Sequence, residues 1–144
     1  MSNTKATLGL LLAAVAAGVF AVASFASDRS GTLEVDKECP PSQYTGGPGS
    51  YCTVTSSNLE AAPAGSKVFY LQPADLASDV ILDPPGPGNN RAFGRCILDE
   101  DLDGECTFNG GTGKFTHFRA TLGVTFLGDY DWRWEGTYSF APSG

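Results

Sequence analysis

Two segments near the end of the chain alternate strictly between apolar and polar positions. In residues 130–140 the even positions carry mostly large aromatic side chains, and the odd positions are mostly charged or small and polar. Residues 118–126 repeat this arrangement, with apolar side chains at the even positions. A period of two residues predicts β-strands with one buried face. Because Gly128 and Asp129 separate the two segments, we expect a hairpin with a tight turn.

Shorter runs of β-branched and aromatic residues predict further strands earlier in the chain. They cover residues 51–58, 67–72, 79–83, 91–98 and 105–109. Turn-forming residues separate these runs, and residues 84–90 alone contain three prolines and two glycines. About seven strands at short spacing, without a convincing helical pattern, predict an all-β antiparallel barrel or sandwich.

The start of the chain has the features of a secretory signal. Lys5 precedes an apolar run from Ala6 to Phe25, and small residues end the run at Ala26. We expect cleavage after Ala26, which defines residues 1–26 as a signal peptide. The run also just reaches membrane-spanning length, so an uncleaved N-terminal anchor stays open as an alternative. Both alternatives predict a secreted or periplasmic domain.

The remaining chain is long enough for one domain and too short for two. Residues 27–50 are polar and rich in proline and glycine, which predicts a partly ordered arm. Residues 51–144 are then expected to form the β-barrel domain.

All four cysteines lie in the exported part of the chain. They are Cys39, Cys52, Cys96 and Cys106. An even number in an oxidising compartment predicts two disulfides, and the spacing favours the local pairs Cys39–Cys52 and Cys96–Cys106. The other two pairings stay open. Zinc binding is disfavoured because the chain has no Cys-x-x-Cys motif and a single histidine.

The charge and the glycine-rich segment argue against three kinds of partner: nucleic acid, anionic membranes and nucleotides. The net charge is −7 for the full sequence and −8 once Lys5 leaves with the signal, which opposes binding to nucleic acid and to anionic membranes. Residues 110–113, Gly-Gly-Thr-Gly, lack the Lys-Ser/Thr ending of a phosphate-binding loop, and no helical pattern follows them. They suit a corner between two strands, where another backbone approaches closely.

Two segments carry a resemblance to a known superfamily. Residues 110–115, Gly-Gly-Thr-Gly-Lys-Phe, with Arg119-Ala120 after them, resemble the GGTGxF…RG segment of plant dirigent proteins and the GGSGxF segment of allene oxide cyclases. A second segment is similar to the stretch before the second barrel strand of those cyclases, through Asn58-Leu59, Pro63, Gly65, Lys67 and Tyr70. The chain thus resembles a secreted microbial branch of the allene oxide cyclase-like barrel superfamily.

This resemblance implies an antiparallel barrel of about eight strands, often a homotrimer, whose cavity takes a small hydrophobic oxygenated molecule without a cofactor. The cyclases steer an unstable allene oxide into a ring, and dirigent proteins orient phenoxy radicals. The chain departs from the pattern at His117, where the cyclases carry Gly, and at Lys114, where many dirigent proteins have Asp. The acidic and water-holding polar groups of the cyclases have no matching motif here. No catalytic residue is therefore carried over, and Arg119 alone coincides with a polar position of the dirigent motif.

His117 is a candidate general base, because the ordinary pKa of histidine lies near neutrality. Arg119 is the second candidate catalytic residue, because it coincides with a polar position of the dirigent motif. Their parity places them opposite the apolar face of their strand, which favours a surface position unless a bulge reverses the register. The candidate ligand-binding residues are aromatic: Phe93, Trp132, Trp134 and Tyr138. The alternative is that these side chains fill the core of a small barrel.

An acidic segment offers a candidate calcium site. Asp99, Asp101 and Asp103 precede Gly104 in the order found in the first half of an EF-hand loop. The twelfth position is Gly110 instead of Glu, and no helices flank the segment. A solvated hairpin turn between disulfide-linked strands is the alternative.

Three functions fit these observations. The first is a cofactor-free cyclase or isomerase that holds a reactive conformer of a small hydrophobic substrate. The second is a dirigent-like or ligand-binding protein without chemistry of its own. The third is a structural or interaction protein with a filled barrel and an exposed apolar patch. One fold hosts all three, so the fold alone does not rank them.

Overall fold

Eight antiparallel strands close into a single barrel in the order β1 to β8, so each strand pairs with its neighbours in sequence and β8 pairs with β1. The computed structural model describes residues 29–140. The strands are Ser30–Glu38 (β1), Ser50–Ser57 (β2), Lys67–Tyr70 (β3), Ala77–Asp83 (β4), Arg91–Leu98 (β5), Gly104–Thr112 (β6), Arg119–Gly128 (β7) and Asp131–Ser139 (β8). The predicted all-β antiparallel barrel is confirmed.

The strands predicted from alternation agree with the observed ones to within a few residues. The bounds of β5 coincide with the prediction, and β7 and β8 form the predicted hairpin around Asp129 and Tyr130. A short 3₁₀ helix at Gly113–Phe115 is the one helical element among residues 29–140. In this part of the chain no helix has the length and hydropathy needed to cross a bilayer.

The predicted arm over residues 27–50 is wrong for its first half, and so is a barrel that begins at residue 51. Residues 30–38 form β1, which lies between β2 and β8 and completes the barrel. Leu33 and Val35 face the core, and the alternate positions Glu34 and Asp36 are charged and face outward. Lys37 continues the inner face, and this buried lysine is what breaks the apolar pattern of the strand. The signal peptide predicted for residues 1–26 lies outside the described residues.

Both local disulfide pairings are confirmed. Cys39, directly after β1, is bonded to Cys52 on β2, and Cys96 on β5 is bonded to Cys106 on β6. Cys96 and Cys106 are directly opposite in the register of the two strands. All four sulfur-bearing side chains are buried inside the barrel. The two bonds agree with an oxidising, extracellular compartment.

One end of the barrel is filled by packed aromatic rings. The centroids of Phe115 and Phe118 are 5.2 Å apart, and Phe140 lies 5.0 Å from Phe118. Phe108 joins this cluster to Trp134 in the middle of the barrel, at 5.7 Å. Gly111 fits here because a Cβ atom would overlap the Arg91 carbonyl oxygen and crowd Phe115. The close backbone approach expected of the glycine-rich segment is thus present.

Candidate functional site

The other end of the barrel contains a cavity of about 530 Å³. Four hairpin connections surround its mouth: residues 39–49, 71–76, 99–103 and 129–130. This volume lies within the roughly 300 to 1,000 Å³ of cavities that bind small molecules. The barrel is therefore closed by aromatic rings at one end and open to solvent at the other.

The wall of the cavity is mainly apolar. Trp132 and Trp134 of β8 form one side, next to Val124 and Phe126 of β7. Both disulfides also line the cavity. These bonds hold the strand ends around the cavity together, so the wall is preformed.

A lysine extends into this apolar space. Lys37 lies on the inner face of β1, directly opposite Trp132 on β8, and is 3% exposed. Its amino group donates a hydrogen bond of 2.6 Å to the hydroxyl of Tyr70 on β3. The amino nitrogen lies 4.9 Å from the centroid of the Trp134 ring, 5.2 Å from Tyr70 and 5.7 Å from Trp132.

Lys37 forms no ion pair within the described part of the chain. The acidic neighbours of Lys37 in sequence face outward, where Asp36 pairs with Arg133 at 2.7 Å. Burial without a carboxylate lowers the pKa of Lys37 from 10.5 to about 7. The three ring faces favour the ammonium form and burial opposes it. Both forms of the amine are therefore accessible near neutral pH.

Tyr70 stays protonated under these conditions. Burial raises the pKa of Tyr70 well above its usual value of 10, and the nearby Tyr44 raises it further. The Tyr44 ring packs edge-on against Tyr70 with the centroids 5.0 Å apart. The site thus pairs an amine that can lose its proton with a hydroxyl that keeps its own.

Trp134 carries an unsatisfied donor. Its indole Nε1–H is buried and has no hydrogen-bond partner among the described residues. A buried donor without a partner costs about 1 to 3 kcal/mol, which reduces the stability of the barrel.

Two tight turns at the mouth hold large side chains in a backbone conformation that favours glycine. Leu76 has a φ of 63° and Tyr130 a φ of 68°, and each follows an aspartate with positive φ. Both side chains line the cavity and are about half exposed. Glycine is the common residue in such turns, so their presence costs stability and places apolar groups at the entrance.

The predicted ligand-binding residues divide into two groups. Trp132 and Trp134 line the cavity, and Trp134 is also part of the core; ligand binding by these residues stays a prediction. Tyr138 lies toward the closed end and packs against Phe140 at 5.8 Å. Phe93 faces outward and is 42% exposed, because its neighbour Gly94 is the inward position and Phe108 fills the space beside it.

The candidate catalytic residues lie away from the cavity. His117 and Arg119 are exposed at the closed end of the barrel, where Arg119 pairs with Ser139. His117 has a φ of 66° in the turn before β7. The surface position expected from their parity is confirmed.

The acidic segment forms a hairpin turn between the strands that Cys96 and Cys106 join. One carboxylate oxygen of Asp99 accepts hydrogen bonds from the backbone N–H groups of Asp101 and Asp103, at 2.9 and 3.2 Å. Among residues 29–140, no group of three acidic, histidine or cysteine side chains is arranged to hold a metal ion. Asp99 therefore stabilises the turn, and calcium binding there stays a prediction.

Sequence reasoning does not identify Lys37, Tyr44 or Tyr70 as site residues. The signal available for Lys37 is its parity, because it shares the odd positions of β1 with Leu33 and Val35. Tyr44 lies in an irregular loop and Tyr70 ends a strand of four residues, so neither has a pattern that points inward.

Comparisons of the chain with protein-family models, with curated proteins and with solved structures find no match. Membership of the allene oxide cyclase-like superfamily stays a prediction that rests on the two sequence segments. The geometry of the cavity is accordingly the basis for a functional proposal.

Proposed function

We propose that the barrel binds one small hydrophobic molecule that carries an oxygen atom. The apolar part of this molecule would lie between the two tryptophans and the mouth of the cavity. Its oxygen atom would contact Lys37 and Tyr70. The observation that carries this proposal is the 2.6 Å hydrogen bond between these two side chains inside a mainly apolar cavity. Cavities with apolar walls and a few converging polar groups are typical of small-molecule sites.

A purely structural role for Lys37 does not account for this arrangement. Burying an amine without a carboxylate costs free energy, whereas a methionine would fill the same space without that cost. Leu76 and Tyr130 add a second cost, because their backbone conformation favours glycine. Lys37, Leu76 and Tyr130 each reduce stability, and all three line the same cavity. This arrangement favours a ligand-binding function over a structural one.

Tryptophan fluorescence tests this proposal directly. The chain contains two tryptophans, and both line the cavity. We expect 1-octanol to change the emission of the disulfide-bonded protein in a saturable way, with one molecule per chain. Tyr70→Phe should weaken binding several-fold, since a net hydrogen bond is worth about 0.5 to 1.5 kcal/mol.

Tyr51→Phe is the matched control. Tyr51 lies on β2 outside the cavity and packs against Phe69 at 5.5 Å, so its loss should leave octanol affinity unchanged. A linear, unsaturable change in emission, or equal effects of the two substitutions, would contradict the proposal.

Cofactor-free isomerisation of the bound molecule is a second candidate. The adjacent amine and hydroxyl favour it, because a neutral amine can remove a proton and the hydroxyl can return one. Deuterium uptake from D₂O at the carbons next to the carbonyl of 2-octanone measures this chemistry. The wild-type protein should accelerate the exchange and Lys37→Met should not, whereas equal rates would exclude it.

A further inference from the structure

We infer that Lys37 forms a covalent imine with the carbonyl carbon of an aldehyde or ketone held in the cavity. This inference rests on the proposed function and names the ligand class as carbonyl compounds. Its geometric basis is the position of the amino group, which extends from β1 into the cavity between Tyr70 and the two tryptophans. The cavity opens to solvent at its mouth, and Lys37 is one of the residues that line it.

The burial of Lys37 away from any carboxylate makes the neutral amine that this reaction needs accessible, whereas the indole rings favour the ammonium form. From β8 the amine meets only indole rings, and from the β1–β2 loop and β2 it meets the Cys39–Cys52 disulfide, with Cys39 Sγ at 3.8 Å. No carboxylate lies within ion-pair distance of it among the described residues. The other groups around the cavity that can titrate are Tyr44, Tyr70, Tyr130 and, in the exposed rim, Asp75. Lysines activated by an apolar pocket are a known class of nucleophile.

The reaction can be written with the groups present. The nitrogen lone pair of neutral Lys37 forms a bond to the carbonyl carbon, and the nitrogen proton moves to the carbonyl oxygen to give a carbinolamine. The carbinolamine then loses its hydroxyl group, the carbon–oxygen bond breaks, and one water molecule leaves as the carbon–nitrogen double bond forms. Tyr70, which touches Lys37 and stays protonated, donates a proton to the departing oxygen and recovers one from the nitrogen.

The same cavity offers no competing nucleophile of comparable strength. Its four cysteines are bonded as disulfides, and within residues 29–140 no free thiol is present. Ser78 is buried and its hydroxyl donates to the Asp79 carbonyl oxygen at 2.8 Å. Lys37 is therefore the nucleophile in this cavity that can react with a carbonyl carbon.

Borohydride trapping with octanal tests this inference on the full disulfide-bonded protein. Reduction converts an imine to a stable secondary amine, which raises the protein mass by the mass of octanal less one oxygen atom. We expect one such addition per chain at low octanal concentration, and peptide mapping should place it on Lys37. Addition distributed over Lys67, Lys114 and the N-terminal amine, with Lys37 unmodified, would overturn the inference.

Three variants test whether the addition depends on Lys37 and Tyr70. Lys67→Met is the matched control, since Lys67 is exposed and lies 4.8 Å from the ring of Tyr51 on the outer surface. The Lys67→Met variant should still gain one octanal-derived group. The Lys37→Arg variant, which keeps a cation at this position, should gain none there. Tyr70→Phe should slow the trapping at least about tenfold, because the proton donor is lost. Equal trapping in wild type and Lys37→Arg would contradict the assignment.

Octanol binding separates this inference from the function on which it rests. If the wild-type protein binds octanol in a saturable way but octanal is not trapped on Lys37, the cavity binds ligands and the imine is excluded. If octanol does not bind either, the proposed function fails as well. Because peptide mapping of the wild-type protein alone gives the site, the test does not depend on the folding of any variant.

Discussion

Lys37 of β1 lies directly opposite Trp132 of β8, and its amino nitrogen is 5.7 Å from the centroid of the indole ring. This pairing places the one lysine of the barrel interior against an aromatic wall at the open end. The protonation of Lys37 and the binding of a ligand therefore depend on the same few side chains. Lys37 protonation and ligand binding can be measured in separate experiments.

The stability of the protein should depend on pH through Lys37. The unfolded chain keeps the lysine proton up to its ordinary pKa of 10.5, whereas the folded chain releases it near pH 7. Between these values the unfolded state binds more protons, so folding becomes more favourable as the pH rises. Relative to Lys37→Met, the free energy of unfolding of the wild type should increase by on the order of 2 kcal/mol from pH 7 to pH 9. Urea denaturation of both proteins measures this difference, and parallel pH profiles would exclude a depressed pKa.

The turn at Asp129 and Tyr130 should show opposite effects on stability and on binding. Tyr130→Gly relieves a positive φ of 68°, and we expect the free energy of unfolding to rise by about 0.5 to 1 kcal/mol. Octanol affinity should fall several-fold because an apolar side chain leaves the mouth. Tyr130→Asn, which also tolerates this backbone, should behave alike. A loss of stability, or an unchanged affinity, would show that Tyr130 has another role.

The Cys96–Cys106 disulfide should contribute strongly to stability. Replacing both cysteines with alanine removes a bond that joins β5 to β6 across a short loop. We expect a loss of about 2 to 4 kcal/mol in the free energy of unfolding, measured by urea denaturation without reductant. The Cys39→Ala, Cys52→Ala double variant provides the comparison for the other bond. An unchanged denaturation midpoint would contradict this expectation.

Two ion pairs of the outer surface, Arg133–Asp36 and Arg95–Asp79, should differ in their contribution to stability. Arg133 holds Asp36 by two hydrogen bonds of 2.7 and 3.0 Å, and these bonds lower the pKa of Asp36 below 3.8. Arg95 and Asp79 are more exposed and form one bond of 3.1 Å. Asp36→Asn should therefore reduce the melting temperature at pH 7 more than Asp79→Asn does, since exposed pairs contribute little.

The effect of Asp36 should also disappear in acid. Because its folded pKa is depressed, its contribution is present above the unfolded pKa and is lost as the pH falls through the folded value. The melting temperatures of the wild type and Asp36→Asn should converge as the pH falls through the depressed folded pKa of Asp36. A gap that persists in acid would mean that the substitution acts through packing.

The sequence predicts the strands and disulfides of this barrel better than the residues of its cavity. Strict alternation identifies β7 and β8, and cysteine spacing identifies both disulfides, because these signals are local. The first strand is missed because Lys37 occupies an inward position, where an apolar residue is the ordinary choice. The site depends on that exception and on Tyr70, which closure of the barrel brings next to Lys37.

The aromatic pattern of β8 predicts which residues face inward but not which of them meet the cavity. Trp132, Trp134 and Tyr138 share one face, and only their height in the barrel separates the open end from the filled one. That height depends on where Phe115, Phe118 and Phe140 pack, which involves contacts between distant segments. Alternation along one strand does not contain this information.

Native mass spectrometry of the disulfide-bonded protein with 1-octanol tests the central claim most directly. The comparison is with Val124→Trp, which places a large ring at a buried cavity position. The account predicts one bound octanol per chain in the wild type and none in the variant, and the same spectra give the subunit number, which tests the homotrimer. No bound octanol in the wild type, or equal binding to both proteins, would contradict a ligand-binding cavity.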